Sequence, residues 1–283
     1  MKFGVLTGFD ERVLRKMSEI GFNGVELRFA SWDEMNAETL LNGDAEKVRG
    51  LCDELGLTIT AIAHYVNHLE PGEETRKKHA DYFAKVIDAA KALEVPVVCT
   101  LAGKDPAKTL KDSVEDFKAV HGPTAEHAEK QGIKVAFENW PAVMGYPMAC
   151  SNMAISPEGW ELMFDAVPSK ALGLEYDPSH LFWLEVDYIK AIKDFKDRIY
   201  HMHAKDTEVI EKTLAKVGIF GHGWWRYRIP GYGGVDWKRV FSTLIDVGFD
   251  GGVNIEHEDP VFGGDRFDEG MERGYKALAP FFV

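Results

Sequence analysis

The chain has 283 residues, 45% of them hydrophobic and 28% charged, with a formal net charge of −13. That composition supplies a large core and excludes wholesale disorder, and its acidity argues against a nucleic-acid partner, because phosphate binding draws on clustered Lys and Arg. The three cysteines, Cys52, Cys99 and Cys150, lie far apart without a CxxC, which excludes a disulfide framework and fits a reducing compartment.

No apolar stretch approaches the ~20 residues that span a bilayer. The opening MKFGVLTGFDERV lacks the apolar core of a signal peptide and runs straight into charges. A cytoplasmic protein with no membrane partner is the expectation.

Taken in order, residues 2–6 form a short apolar strand, and Asp10 opens a helix in which Val13, Leu14, Met17 and Ile20 recur at helical spacing before Gly21 stops it. Residues 24–29 are the second strand and 46–55 the next helix. The third strand covers 57–63 and reaches His64. A long helix follows over 73–94, then a fourth strand over 95–99 and a second long helix over 106–131. The fifth strand, 133–137, runs into Glu138. Beyond it lies a Pro-, Gly- and Met-rich loop from Trp140 to Met153, and Ser156-Pro157-Glu158 caps a short helix. The sixth strand covers 171–176, a helix 187–195 and the seventh strand 198–204. Residues 221–234 read as a glycine-rich, aromatic loop. Asp236 then caps a helix over 237–247, the eighth strand is 252–255, and 265–279 is the last helix. Eight strands alternating with eight helices, with no linker between them, predict an α/β fold with parallel strands, a (β/α)8 TIM barrel forming one domain over 1–283.

Barrels of this kind carry their chemistry at the C-terminal ends of the strands. Four consecutive runs here end in Glu138, Asp177, His203 and Glu256. Three carboxylates and one imidazole suit Mn²⁺, Mg²⁺, Co²⁺ or Zn²⁺ and lack the thiolates of a structural zinc site. A barrel rim also collects polar residues that merely satisfy one another, but four on consecutive strands point to one centre. Glu175 and His201 stand two residues before Asp177 and His203, so strand alternation turns them inward one layer deeper. Glu258 reads as a loop residue paired with Arg266 or Arg273. Glu26, Arg28, His64 and Lys104 also end strands and are candidates for reading hydroxyl groups, His64 foremost. Trp140, Trp183, Trp224, Trp225 and Tyr227 are candidates for an apolar lid or a subunit contact. Lys205 and Asp206 read as structural.

The motifs GVEL, AFEN, YDPSH, HMHAKD, RIPGYGGVDW and NIEHED, in this order and at these strand ends, resemble the xylose isomerase-like barrel superfamily of sugar and sugar-phosphate isomerases and epimerases over essentially the whole chain. The resemblance implies one divalent ion held by Glu138, Asp177, His203 and Glu256. It implies substrate contacts from His180 and from an arginine before PGxG, for which Arg226 and Arg228 compete and Arg228 is preferred. Trp183 joins them as a wall for the sugar. It also implies that Glu138 and Glu256 act as the acid/base pair, moving a proton next to a carbonyl through a metal-stabilised enediolate.

The same platform serves lyases that dehydrate a keto-inositol or eliminate from a 3-keto-glycoside, and the residues do not separate these from epimerisation or isomerisation. An abasic-site endonuclease of the superfamily needs further His and Asp ligands that this chain lacks. A non-catalytic sugar-binding barrel would not need the Glu138–Glu256 pair. A phosphorylated substrate stays open through Arg226 and Arg228, and a homo-oligomer fits the aromatic surface.

Overall fold

The computed structural model of the chain describes residues 1–144 and 149–282, and within them the fold is a closed barrel of eight parallel strands. These are β1 (Lys2–Gly8), β2 (Gly24–Arg28), β3 (Thr58–Ala63), β4 (Val97–Thr100), β5 (Lys134–Glu138), β6 (Leu172–Tyr176), β7 (Ile199–Ala204) and β8 (Gly252–Ile255). Neighbours around the barrel follow chain order, and β8 closes on β1 with Val5 beside Ile255. The principal helices are Glu11–Ile20, Ala45–Glu54, Glu73–Ala92, Val114–Gln131, Pro157–Ala166, Tyr188–Asp194, Trp237–Asp246 and Phe267–Leu278. The expected α/β barrel is therefore the observed fold.

Local chemistry sets the helix ends. Asp10 accepts a hydrogen bond from Val13 N at 3.1 Å, and Gly21 closes the same helix at φ 115°, a left-handed conformation that suits glycine. Asp236 accepts from Arg239 N at 3.0 Å. Ser156 differs from expectation: Pro157 opens its helix, but the Ser156 side chain makes no capping bond. The helix predicted over 106–131 begins only at Val114, after a tight turn at Lys111–Ser113.

Strand alternation divides the apolar side chains into two sets. The larger set, including Val135, Phe137, Leu172 and Leu174, packs between strands and helices. A small inner set, Ala61, Ala63, Val97, Cys99 and Ala136, shares the barrel interior. Such short side chains leave room for long polar ones in the same layer. The strands also approach closely: a Cβ on Gly252 would lie 2.5 Å from Thr60 Cβ and 2.7 Å from His201 Nε2.

Two departures from the sequence reading matter for the site. Residues Trp225–Arg228, expected as loop, form a strand that pairs antiparallel with Asp206–Val209, Thr207 opposite Tyr227. Pro178–Trp183 forms a short helix directly after β6. Residues 145–148 of the predicted 140–153 loop lie outside the described residues. Among the described residues no helix is long and apolar enough to cross a membrane.

Candidate metal centre and active site

The four predicted strand endings meet. One ligand atom from each of Glu138, Asp177, His203 and Glu256 lies within 4.8 Å of the other three, a cluster that could hold a metal ion. His203 Nδ1 stands 3.4 Å from Glu138 Oε1 and 3.2 Å from Glu256 Oε2. Glu138, Asp177 and His203 are buried, and Glu256 is the most open at 17% side-chain exposure.

Backbone design explains the convergence. Asn139, next after Glu138, donates to Asp177 O at 2.8 Å and accepts from Asp177 N at 2.7 Å, tying the ends of β5 and β6 together. Asn152 holds Glu138 O at 2.9 Å. Asp177 is the N-cap of Pro178–Trp183: its Oδ1 accepts from Ser179 N at 2.8 Å, which leaves Oδ2 for the centre. His180, three residues on, shares that face and brings Nε2 to 3.2 Å from Asp177 Oδ2 and 3.4 Å from Glu138 Oε1.

The donor set fits a hard or borderline divalent cation: three carboxylates, one imidazole and no thiolate. Asp177 Oδ2 and His180 Nε2, both fully buried, complete no hydrogen bond. Electrostatics agrees. Burial, reinforced by Glu256, pushes the Glu138 carboxyl well above its usual range. Burial likewise lifts Asp177 to about 6 although Lys205 opposes it. Burial also works against ionisation of Glu256, but Lys205 and His203 overcome it and hold that carboxylate low. Carboxylates gathered at such cost are the natural ligands of a cation.

A second layer lies beneath. Glu26, Glu175 and His201 are fully buried, with His201 Nδ1 2.9 Å from Glu175 Oε1 and Asn254 Nδ2 3.0 Å from His201 Nε2. Glu175 and His201 thus sit one layer deeper, as alternation predicts. Glu26 reaches His203 from below at 2.9 Å rather than standing at the rim.

Other expectations are corrected. Lys205 is not merely structural: its buried ammonium reaches Glu256 Oε2 at 2.5 Å, Glu258 Oε2 at 2.9 Å and Asp177 Oδ2 at 3.4 Å. Glu258 accordingly pairs with Lys205, while Arg266 and Arg273 both pair with Glu269. Asp206 does behave structurally, accepting from Val235 N, Gly231 N and Trp237 Nε1. Arg226 and Arg228 turn to Glu208, at 2.8 and 2.5 Å, and Arg228 also pairs with Asp259 at 2.8 Å. Alternation along the hairpin puts Trp225 and Tyr227 on its other face. Tyr227 OH lies 3.0 Å from His180 Nδ1, and the Lys205 ammonium sits 4.4 Å above its ring. His64 is not brought to the cluster either. Its ring packs on Tyr82 of the Glu73–Ala92 helix at 4.7 Å, whereas its neighbour Tyr65 turns inward to the cluster. Arg28 pairs with Asp33 and Lys104 with the Asp105 and Lys108 carbonyls.

Trp183 stacks on Trp225 at 4.5 Å, and both line a cavity of about 370 Å³ with Trp140, His222 and Tyr227. Tyr227 and His180 connect that cavity to the carboxylate cluster. Lys205, expected as structural, and Glu258, expected in the loop, both border the cluster, and Tyr65, not singled out from the sequence, borders it too, with inward alternation from Ala61 and Ala63 as its signal.

Residues 14–278 match the xylose isomerase-like TIM barrel family, and the chain belongs to it. It is 30% identical over 275 residues to an inosose dehydratase of Lactiplantibacillus plantarum, covering 89% of this chain and 84% of that one. Among solved structures, a xylose isomerase domain protein of Planctomyces limnophilus superposes with a TM-score of 0.77 at 18% identity, over 99% of this chain and 96% of that one. A 3-keto-D-glucoside 4-epimerase of E. coli gives 0.70 at 18% identity, over 96% and 99%.

Proposed function

We propose that the chain is a divalent-metal-dependent, cytoplasmic enzyme that removes the proton beside a carbonyl of a sugar, sugar phosphate or keto-sugar and returns it as an isomerase or epimerase. The observation that carries this reading is the meeting of Glu138, Asp177, His203 and Glu256 within 4.8 Å around two buried, unsatisfied polar atoms. Those four residues would hold the ion, which would supply a Lewis acid for the carbonyl and for the negative charge that proton loss creates.

The remaining work falls to the chain's own groups. Glu138 and Glu256 flank His203 from β5 and β8, so a substrate at the centre meets a carboxyl group from two sides. One carboxylate takes the C–H proton, and the electron pair moves toward the carbonyl oxygen. The other carboxyl returns a proton to the same carbon from its own side, giving the epimer, or a proton is delivered to the former carbonyl carbon while the neighbouring hydroxyl passes its proton to the old carbonyl oxygen and becomes the new carbonyl, giving the isomer. His180, braced by Tyr227, is placed to orient a substrate oxygen, and the stacked Trp183 and Trp225 exclude water above it. Arg226 and Arg228, spent on Glu208 and Asp259, leave substrate contact to this aromatic face.

A second reading is elimination of water, and Lys205 favours it. Its buried ammonium can give a proton to a β-hydroxyl as that group departs, while Glu138 or Glu256 takes the α-proton and a C=C bond forms. The relative named inosose dehydratase supports this reading, and the neighbour named 3-keto-D-glucoside 4-epimerase supports the first.

One experiment separates them. The protein, loaded with Mg²⁺, is incubated in D₂O with ketoses, ketose phosphates and keto-inositols, and the products are read by NMR. Metal-dependent deuterium beside a carbonyl with an epimer or isomer supports the first reading, and an unsaturated product supports the second. Neither exchange nor an unsaturated product across the panel by metal-loaded protein refutes both.

A further inference from the structure

Directly behind His203 stand two buried carboxylates that the proposed chemistry does not use. Glu26 brings Oε2 to 2.9 Å from His203 Nε2, and Glu175 brings Oε1 to 3.0 Å. The other ring nitrogen, Nδ1, faces Glu138 and Glu256. Two acceptors on the inner side call for a hydrogen on Nε2, so that nitrogen donates inward, and Nδ1, which faces the other two carboxylates, is the nitrogen that would give up its proton and turn a lone pair to a cation at the centre.

The two carboxylates do not hold this arrangement alone. Facing one another in the barrel interior, they repel and lack enough donors. Tyr65 lies between them with one hydroxyl hydrogen that either can take, its oxygen 2.7 Å from Glu26 Oε1, 2.8 Å from Glu175 Oε2 and 3.4 Å from His203 Nε2. His201 takes up the remaining demand on Glu175 through Nδ1 at 2.9 Å, and its Nε2 accepts from Asn254. The phenol thus spans β2 and β6 immediately beneath the ring carried by β7.

We propose that Tyr65, clamping Glu26 and Glu175, is a positioning residue for metal binding: it fixes the His203 ring with Nε2–H inward and Nδ1 presented to Glu138, Asp177 and Glu256. This rests on the metal-centre reading. Groups that orient a ligating imidazole from behind commonly contribute 10- to 100-fold to metal affinity, about that range for substitution here. Tyr65→Phe leaves the two carboxylates without their bridge. Glu26→Gln removes one of the two negative charges that accept from Nε2, which weakens the hold on that orientation of the ring.

The test measures Mn²⁺ affinity from the free-ion EPR signal for the wild type, Tyr65→Phe and Glu26→Gln, with far-UV circular dichroism as the fold control. In parallel, ¹¹³Cd-loaded, ¹⁵N-histidine-labelled wild type reports which nitrogen of His203 carries the cadmium coupling. Expected are coupling at Nδ1, and affinities lower by roughly 10- to 100-fold in both variants with unchanged dichroism. Coupling at Nε2, or Mn²⁺ binding by both folded variants as tight as wild type, overturns the positioning role and leaves the metal centre standing. Failure of the wild type to bind Mn²⁺ or Cd²⁺ overturns both. Should the variants not fold, the wild-type coupling decides alone.

Discussion

Lys205 is the side chain whose surroundings most constrain what the centre can do. It is fully buried, and burial by itself would strip its proton, yet Glu256, Glu258 and Asp177 together hold its pKa well above the ordinary lysine value. Its ammonium therefore neutralises part of the same carboxylate set that a divalent ion would take, and the two cations would share Asp177 and Glu256. Removing one partner of a buried ion pair costs about 3–5 kcal/mol, because the partner left behind is an uncompensated buried charge. Lys205→Met should therefore lower the urea-unfolding free energy of metal-free protein by about that amount. Saturating Mn²⁺ should return much of the loss, since it restores positive charge at the same oxygens. If Mn²⁺ narrows nothing between variant and wild type, Lys205 and the ion do not share ligands.

The hairpin of Asp206–Val209 with Trp225–Arg228 shows how one element assigns two faces two tasks. Arg226 and Arg228 meet Glu208 and Asp259, while Trp225 and Tyr227 meet Trp183 and His180. Aromatic stacking contributes about 0.5–1.5 kcal/mol beyond burial, so Trp225→Ala should raise KM roughly 3- to 10-fold with a smaller change in kcat. Arg226→Met, at a half-exposed pair, should leave both within about twofold; steady-state kinetics on the substrate found by deuterium exchange measures each. Loss of turnover in Arg226→Met would return the arginine to the site. The helices Glu73–Ala92 and Val114–Gln131 carry a different consequence, for acid stability. His121 is fully buried against His68, Phe117 and Phe137, and burial pushes its pKa down to about 4. Burial, then His121, His64 and His79, likewise drives His68 well below the usual histidine range. In the unfolded chain such groups take protons near pH 6.5. The unfolded state then binds more protons between pH 6.5 and 4, so stability falls as pH drops through that window and levels off below it. For His121 alone the loss is roughly 3 kcal/mol. Urea unfolding from pH 7 to 4.5 should show it, and His121→Leu should flatten the slope even where it costs stability at pH 7.

Across the whole molecule, the barrel and the four residues that cluster at its mouth were legible because period-two strands and terminal polar residues are written locally. Glu138, Asp177, His203 and Glu256 each end an apolar run, and closing the sheet brings such ends together. What the linear order hid was mostly orientation. The neighbours His64 and Tyr65 project to opposite sides of β3, and only knowing that Ala61 and Ala63 face inward selects Tyr65. The arginines' partners were hidden for the same reason, since residues 221–234 read as loop give no faces to choose between, and only the hairpin turns Arg226 and Arg228 to Glu208 and Asp259. Lys205 escaped because its three carboxylate partners come from β6 and from the residues following β8, far away in sequence. The assembled molecule then makes a linked prediction. A ligand that binds only the folded state stabilises it by about 2.7 kcal/mol at a hundredfold excess over Kd, and here the ligands exist as a set only when four strand ends meet. Divalent metal should raise the unfolding midpoint in a concentration-dependent way, and a chelator should reverse it. Asp177→Asn supplies the control, because an asparagine can still cap Pro178–Trp183 through its side-chain oxygen while losing the charge aimed at the centre. Its metal-free midpoint should fall less than that of Lys205→Met, because Lys205 keeps Glu256 and Glu258 and burial already disfavours the Asp177 charge, and its response to Mn²⁺ should largely vanish. An undiminished response in that variant would mean that the ion binds elsewhere.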